Sequence, residues 1–250
     1  MIKLFQAHIN PSNRSLAWLS AFYLSFLTLI LIVAIFFDKS LSNFFTGAPE
    51  PIISFFQWTT DIGKSNWMLI PTFFIWLLTP IIGFLGLKYS HYWKARAITG
   101  LSGFIFLGIG LPGLATNLMK RAIGRARPMH LEELGATYFQ PHFLMDKAWT
   151  FQSFPSGHTT TSFAAAVVVF LLAGRRWGAV AFILAGFVAM SRLVIGAHFL
   201  TDILAGSLVG VLGALAVHHL YILKLGGFRI KNGANHVQWY APFKLHRSKR

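Results

Sequence analysis

Long apolar runs alternate with short polar breaks along this chain, and the runs are long enough to read as membrane spans. After a polar start through residue 15, with Lys3, His8 and Arg14, the first run covers about Leu16 to Phe37. Its length and its ending in Phe-Phe-Asp-Lys predict a retained span, where a cleaved signal would be shorter and end in small residues. Residues 38–66 carry Pro49, Pro51 and several aromatics, and they predict a helix lying on the bilayer surface, opened by Pro51. A second span runs from about Trp67 to Leu87, with Pro71 and Pro80 inside it. The polar break from Lys88 to Arg96 offers Tyr89, His91, Tyr92 and Trp93 as interfacial anchors.

The third span covers about Ala97 to Met119 and is rich in glycine, which allows close helix packing in a membrane. Residues 120–154 form the longest polar segment between spans. The fourth, fifth and sixth spans follow at about Gly157 to Ala173, Trp177 to Ile195 and Phe199 to Leu223. A basic tail, residues 224–250, closes the chain. No internal repeat or composition shift marks a second domain. The expected architecture is all-α: one integral membrane domain over residues 1–250, built as a polytopic bundle of six transmembrane helices.

Composition agrees. The chain is 55% hydrophobic and 12% charged, where soluble domains carry about 25% charged residues. The net charge of +15 suits nucleic acid or anionic lipid. The basic residues are scattered between apolar spans, so the expected partner is the bilayer and no nucleic acid. The lack of cysteine excludes disulfides, thiolate metal sites and cysteine nucleophiles. Seven carboxylates are dispersed apart from Glu132-Glu133, and dinuclear hydrolases need clustered oxygen ligands. Chemistry without a metal or other cofactor is therefore expected.

Six spans put both termini on one side of the membrane. With the termini inside, the inner segments hold fourteen of the 22 Lys and Arg, as the positive-inside rule requires. Five of the outer cations crowd into one loop and its flank, and Arg192 sits near a span end. Positive charge out of place at membrane depth points to function.

Three segments then converge on the outer face. Lys120 and Arg127 stand seven apart, so on a continuous helix they share a face, and Pro128 marks its end. Pro155-Ser156-Gly157-His158 reads as a turn that opens the fourth helix, whose free N–H groups make an anion site. His198 and Asp202, at i and i+4, can meet on one helix face, just beyond Ser191-Arg192. Taken singly, these have plain alternatives: a basic stretch binding headgroups, an ordinary turn, a self-satisfied His–Asp pair. Together they supply cations, a helix start, two histidines and an orienting carboxylate, the components of a phosphate site with a nucleophile–base pair.

The ordered pattern Lys-x6-Arg-Pro, Pro-Ser-Gly-His and Ser-Arg-x5-His-x3-Asp resembles the type 2 phosphatidic acid phosphatase (PAP2) superfamily, which also holds vanadium haloperoxidases and glucose-6-phosphatase-like enzymes. The motifs cover residues 120–202, and the span layout extends the likeness over about residues 16–223. The resemblance, to the bacterial membrane-bound lipid phosphatase branch, implies a PAP2/haloperoxidase-like core and two-step phosphoryl transfer. His198 would be the nucleophile, Asp202 its orienting carboxylate and His158 the acid for the leaving group and base for water. Lys120, Arg127, Arg192, Ser156 and Gly157 would bind the phosphoryl oxygens, with Arg121 and Arg125 facing a headgroup or a second phosphate.

Implied substrates are phosphatidic acid, phosphatidylglycerol phosphate, undecaprenyl diphosphate and lipid A. The aromatics Phe139, Phe143, Trp149 and Phe151 would anchor at the interface or guide a lipid chain. A lipid phosphotransferase using the same phosphohistidine, and a lipid transporter, are the rival readings. The layout looks bacterial, which implies the inner membrane, cytoplasmic termini and a periplasmic site.

Overall fold

The computed structural model describes residues 13–84, 89–141, 148–225, 228–230 and 237–239. Helix α1 spans Asn13–Phe36 and gives way at Phe37 to α2, Asp38–Thr46. The two helices are bent by 49° at that break. Helix α3, Glu50–Ile62, starts after Pro49 and carries a proline in its first turn, where a missing N–H costs nothing. Helix α4, Asn66–Phe84, accommodates Pro71 and Pro80 in its interior. Helix α5, Tyr89–Ile123, is followed by a 3₁₀ turn at Pro128–His130 and the short α6, Leu131–Leu134. A second 3₁₀ turn, Ala148–Phe151, leads to α7, Gly157–Ala173. Then come α8, Arg175–Val194, and α9, Leu200–Leu225. Strands β1, Phe228–Ile230, and β2, Val237–Trp239, pair antiparallel in the tail.

The body of the protein is thus all helical. Lys94–Ile123, Arg175–Val194 and Leu200–Tyr221 are long and apolar enough to cross a membrane, and the bent pair Ser20–Phe36 with Asp38–Thr46 passes as a fourth. Helix α7 is apolar but only 17 residues long. Large apolar side chains on α1 (Leu24, Leu31, Ile35), α4 (Phe74, Leu78, Ile81) and α8 (Ile183, Leu184, Phe187) point outward. Water would penalise such a surface, and lipid accepts it. Helix α4 packs on α5, α7 on α8, and α9 on both α5 and α7. Their core gathers Phe104, Ile109, Val167, Val168, Leu215 and Tyr221.

Two glycines set the closest of these contacts. A Cβ at Gly206 of α9 would stand 2.6 Å from the Ser156 carbonyl oxygen, and one at Gly210 would collide with the Thr160 carbonyl. This small-xxx-small pair lets α9 lie against the start of α7 without intervening side chains. The Thr116 and Thr160 hydroxyls, 3.0 Å apart, join α5 to α7 in the same layer.

Five of the helices begin and end within three residues of the runs read from the sequence. The exception is α5. It takes in most of the polar break at 89–96, because apolar patterning marks where lipid contact stops, which is not where a helix must stop. Residues 38–66 form two helices in place of the one expected, with Gly47 and Pro49 breaking them. Most of the basic tail lies outside the described residues.

Candidate active site

The first motif is split by a backbone reversal. Helix α5 ends at Ile123, and Gly124 adopts a left-handed φ of 64°. A side chain there would run into the Gln140 carbonyl, so glycine is required on two counts. The chain then runs extended beside residues 138–140. The Ala126 N–H donates to Tyr138 O at 3.0 Å, and the Gln140 N–H to Gly124 O at 2.7 Å. Lys120 and Arg127 therefore do not share a face of one continuous helix, as their spacing predicted. They reach the same cavity from a helix end and from an extended segment. Arg127 is fixed there by an Nε–H bond to Trp149 O at 2.9 Å and by stacking over the Trp149 ring at 5.3 Å.

The second motif opens α7. Gly157 and His158 line the cavity, and a Cβ on Gly157 would sit 3.5 Å from Lys120 Nζ. The glycine leaves the ammonium room against the helix start. Ser156 differs from expectation. It is fully buried and lines no part of the cavity. Its N–H donates to the Asp202 carbonyl at 2.9 Å, and its hydroxyl accepts from Thr159 Oγ1 at 3.0 Å. A serine so engaged ties α7 to α9 and stands outside the cavity lining. The turn between α3 and α4 lies against the His158 ring, since a Cβ at Gly63 would be 3.3 Å from His158 Cδ2.

The third motif folds back on itself. Arg192 sits in the last turn of α8, and its carbonyl accepts the Ala197 and His198 N–H groups at 3.0 and 3.1 Å. Its Nη1 donates to Thr60 Oγ1 of α3 at 2.7 Å. Its Nε is buried without a hydrogen-bond partner among the described residues. His198 precedes α9, so the pair with Asp202 is not the helix-face pair that the spacing predicted. Contact is made all the same: His198 Nδ1 lies 3.6 Å from Asp202 Oδ2. That oxygen also accepts the Phe199 N–H at 2.8 Å, which caps α9, and the Ser153 hydroxyl at 2.5 Å. Ser153 Oγ stands 3.5 Å from Nδ1 as well, bridging the pair. With Nδ1 turned to this cluster, Nε2 is left for the cavity that His198 lines. Burial pulls the His198 imidazole down to about 3, against the raising effect of Asp202 and helped by the Lys120 and Arg127 charges. The ring is neutral at pH 7, the state a nitrogen nucleophile needs.

The cavity holds about 450 Å³. Lys120, Arg127, Arg192, His158 and His198 line it, together with the polar Lys64, Ser65, Asn66 and Asn117 and the apolar Leu69 and Leu114. A larger cavity of about 540 Å³ adjoins Pro128 and Gly196, but no cation or histidine lines it. Among the described residues, the histidines and cations of the three motifs gather at the smaller one.

Arg121 is exposed and outside the cavity lining. Arg125 is a correction. It is 3% exposed and bonded to Asp202 and Asp38, so it faces neither a headgroup nor a second phosphate. Sequence reasoning missed Asp38, Thr60, Lys64, Asn66, Asn117 and Ser153. No spacing links them to the motifs; the fold brings them in from α2, α3, the α3–α4 turn, the start of α4, α5 and the loop before α7. Of the aromatics, Phe139 lies over Arg125 at 5.8 Å, Trp149 over Arg127, and Phe151 stacks on His130 at 5.2 Å. Phe143 lies outside the described residues.

Lys120, Arg127 and Arg192 around a helix start, with a histidine backed by a carboxylate in the same cavity, make an arrangement with the charge to receive an anion. Comparison with known proteins agrees. The model of the PAP2 superfamily matches residues 101–224. A lipid A 1-phosphatase of Rhizobium johnstonii is 32% identical over 78% of this chain and 77% of its own length. Another, of Rhizobium etli, is 33% identical over 60% of this chain and 63% of that protein. The crystal structure of a transmembrane PAP2-type phosphatidylglycerolphosphate phosphatase from Bacillus subtilis has the same fold. Its TM-score is 0.53 at 20% identity, over 80% of this chain and 96% of that one. The chain belongs to the PAP2 superfamily. Within it, this is a bacterial multi-pass membrane phosphatase, a phosphoric ester hydrolase.

Proposed function

We propose that this enzyme removes the phosphate monoester of a membrane glycolipid of the lipid A type, through a phosphohistidine on His198. The observation that carries the phosphate site is the Arg192 side chain. Its Nε is buried without a hydrogen-bond partner among the described residues, in a side chain that lines the same cavity as Lys120 and Arg127, an arrangement that is costly unless an anion completes it. In the first step His198 Nε2 attacks phosphorus, the bond from phosphorus to the lipid oxygen breaks, and His158 gives that oxygen a proton. A bound phosphate dianion beside His158 favours the protonated ring this requires. In the second step His158 takes a proton from water, the water oxygen attacks phosphorus, and the P–N bond breaks to release phosphate. Asp202 holds His198 through Nδ1 and stabilises the positive charge it gains. Lys120, Arg127, Arg192 and the N–H groups at Gly157 bind the equatorial oxygens as charge spreads over them.

Two supports favour a glycolipid. Lipid A 1-phosphatase is the name of two relatives. The cavity that His158 lines also carries Lys64, Ser65, Asn66 and Asn117, polar groups suited to sugar hydroxyls. We further infer a single six-span domain in the inner membrane, with cytoplasmic termini and the site on the periplasmic face. The charge distribution favours that orientation.

The test is a phosphate-release panel with purified protein on lipid A, phosphatidic acid, phosphatidylglycerol phosphate and undecaprenyl diphosphate. The expected result is highest kcat/KM on lipid A, acid-labile labelling of the protein by substrate phosphate, and loss of both in His198→Ala. Preference for another lipid on the panel would overturn the substrate. Turnover in His198→Ala would overturn the nucleophile.

A further inference from the structure

Arg125 is a buried cation with all of its hydrogens in use. A guanidinium has five N–H donors. Nη1 donates to Asp202 Oδ1 and to Thr201 Oγ1, both at 2.6 Å. Nη2 donates to Asp38 Oδ2 at 2.8 Å and to Ala136 O at 2.7 Å, and Nε to Ala136 O at 3.1 Å. The group rests on the Phe199 ring, 4.4 Å from its centroid. Asp38 is equally engaged. Besides Arg125, it accepts the Thr201 N–H at 3.0 Å and the Thr201 hydroxyl at 2.6 Å. Asp38, Thr201 and Asp202 are 0–1% exposed.

The arrangement has a direction. Arg125 takes one carboxylate oxygen of Asp202, Oδ1, and leaves Oδ2 for Ser153 and His198. A carboxylate gripped at one oxygen cannot swing, so the distance and angle from Oδ2 to Nδ1 are set. Asp38 stands on the far side of Arg125 and compensates its second Nη. Asp38 comes from the bend between α1 and α2, remote in sequence from the three motifs. Removing either partner would leave a buried charge unpaired.

We propose that Arg125 and Asp38 are positioning residues for the nucleophile: Asp38 fixes Arg125, Arg125 fixes Asp202, and Asp202 fixes His198. This rests on the reading of His198 as the attacking group. It assigns Arg125 a role in rate and none in binding substrate. A purely structural ion triad would hold helices together without tuning the rate of attack.

The experiment is a double-mutant cycle on the full-length protein in detergent, read by single-turnover labelling with an aryl phosphate. Asp38→Asn is expected to slow phosphohistidine formation about ten-fold with KM unchanged. In an Asp202→Asn background the same substitution is expected to change the rate less than about two-fold, because the link it acts through is gone. Thr201→Val removes a hydroxyl bonded to both Arg125 and Asp38 without altering charge, and it should act in the same direction more weakly. It also keeps the test open if Asp38→Asn does not fold. Equal losses in both backgrounds, or a fall in thermal midpoint with no change in the rate of attack, would overturn the proposal. Failure of the underlying reading would look different: no label on His198 in the unsubstituted protein.

Discussion

As the proposed nucleophile His198 must be neutral, although it shares its cavity with four cations and its ring contacts a carboxylate. Burial decides the matter by pulling the imidazole down to about 3, below its ordinary range. The sign follows directly: lowering the pH from 7 through the usual histidine range should leave the ring unprotonated. NMR of labelled histidine, assigned by difference with His198→Gln, is expected to show no titration of this ring between about pH 5.5 and 8. A ring that titrates near 6.5 would contradict it. Arg192 makes a second prediction. Nη1 is held by Thr60 and Nε has no hydrogen-bond partner among the described residues, so in the proposed phosphate site the planar fork matters and not only the charge. Arg192→Lys is expected to lower kcat/KM about 10- to 100-fold, while Thr60→Val, which frees Nη1 and keeps the charge, should cost less. Retention of full activity by the lysine variant would mean a point charge suffices. Lys120, Arg127, His158, Arg192, His198 and Asp202 were legible in the sequence because their spacing is a motif. Arg125 was placed toward a ligand because spacing does not reveal whether a donor is already satisfied inside the protein, and spacing is equally silent about the burial of Ser156 away from the cavity lining.

At the scale of helices, hydrophobic runs located α1, α4, α7, α8 and α9 to within three residues, since an unbroken apolar run favours one unbroken helix. The runs were silent about where polar residues stay helical, hence the early start of α5. They were silent too about the bend at Phe37 that turns Asp38 inward. Helix contacts were partly legible. The glycines of the third span were noted, but the decisive approach is that of α9 to α7 at Gly206 and Gly210. Gly206→Ala pushes a methyl toward the Ser156 carbonyl, next to the bond from Ser156 N–H to Asp202 O. It should destabilise the protein by about 1–3 kcal/mol and lower activity, measured by thermal unfolding in detergent and phosphate release. Gly186→Ala in α8 meets nothing within 4 Å and should be silent in both assays. If the two variants behave alike, the close approach does not govern the site.

For the whole molecule, the question is which face of the membrane the cavity serves. Helix α7 is short, and its first turn carries Gly157 and His158, so the cavity opens toward one end of the bundle. The α7–α8 turn, with Arg175 and Arg176, lies at the opposite end of that helix. The orientation proposed above follows the positive-inside rule, with the arginine turn in the cytoplasm and the cavity at the other face. That argument is strained by Lys120, Arg121, Arg125 and Arg127, which carry positive charge to the wrong side. The structure relieves the strain in part: Arg125 is neutralised by two carboxylates, and Lys120 and Arg127 face a cavity suited to an anion. Charges committed to internal partners or to substrate do not compete for the cytoplasm as free ones do. The chain has no cysteine, so single cysteines report without background. Glu133→Cys, on the exposed α6 beside the cavity segment, is expected to react with a membrane-impermeant maleimide in intact spheroplasts. Arg176→Cys, exposed at the α7–α8 turn, is expected to react only after lysis. The reverse pattern would put the site in the cytoplasm, and the enzyme would then draw its lipid substrate from the inner leaflet.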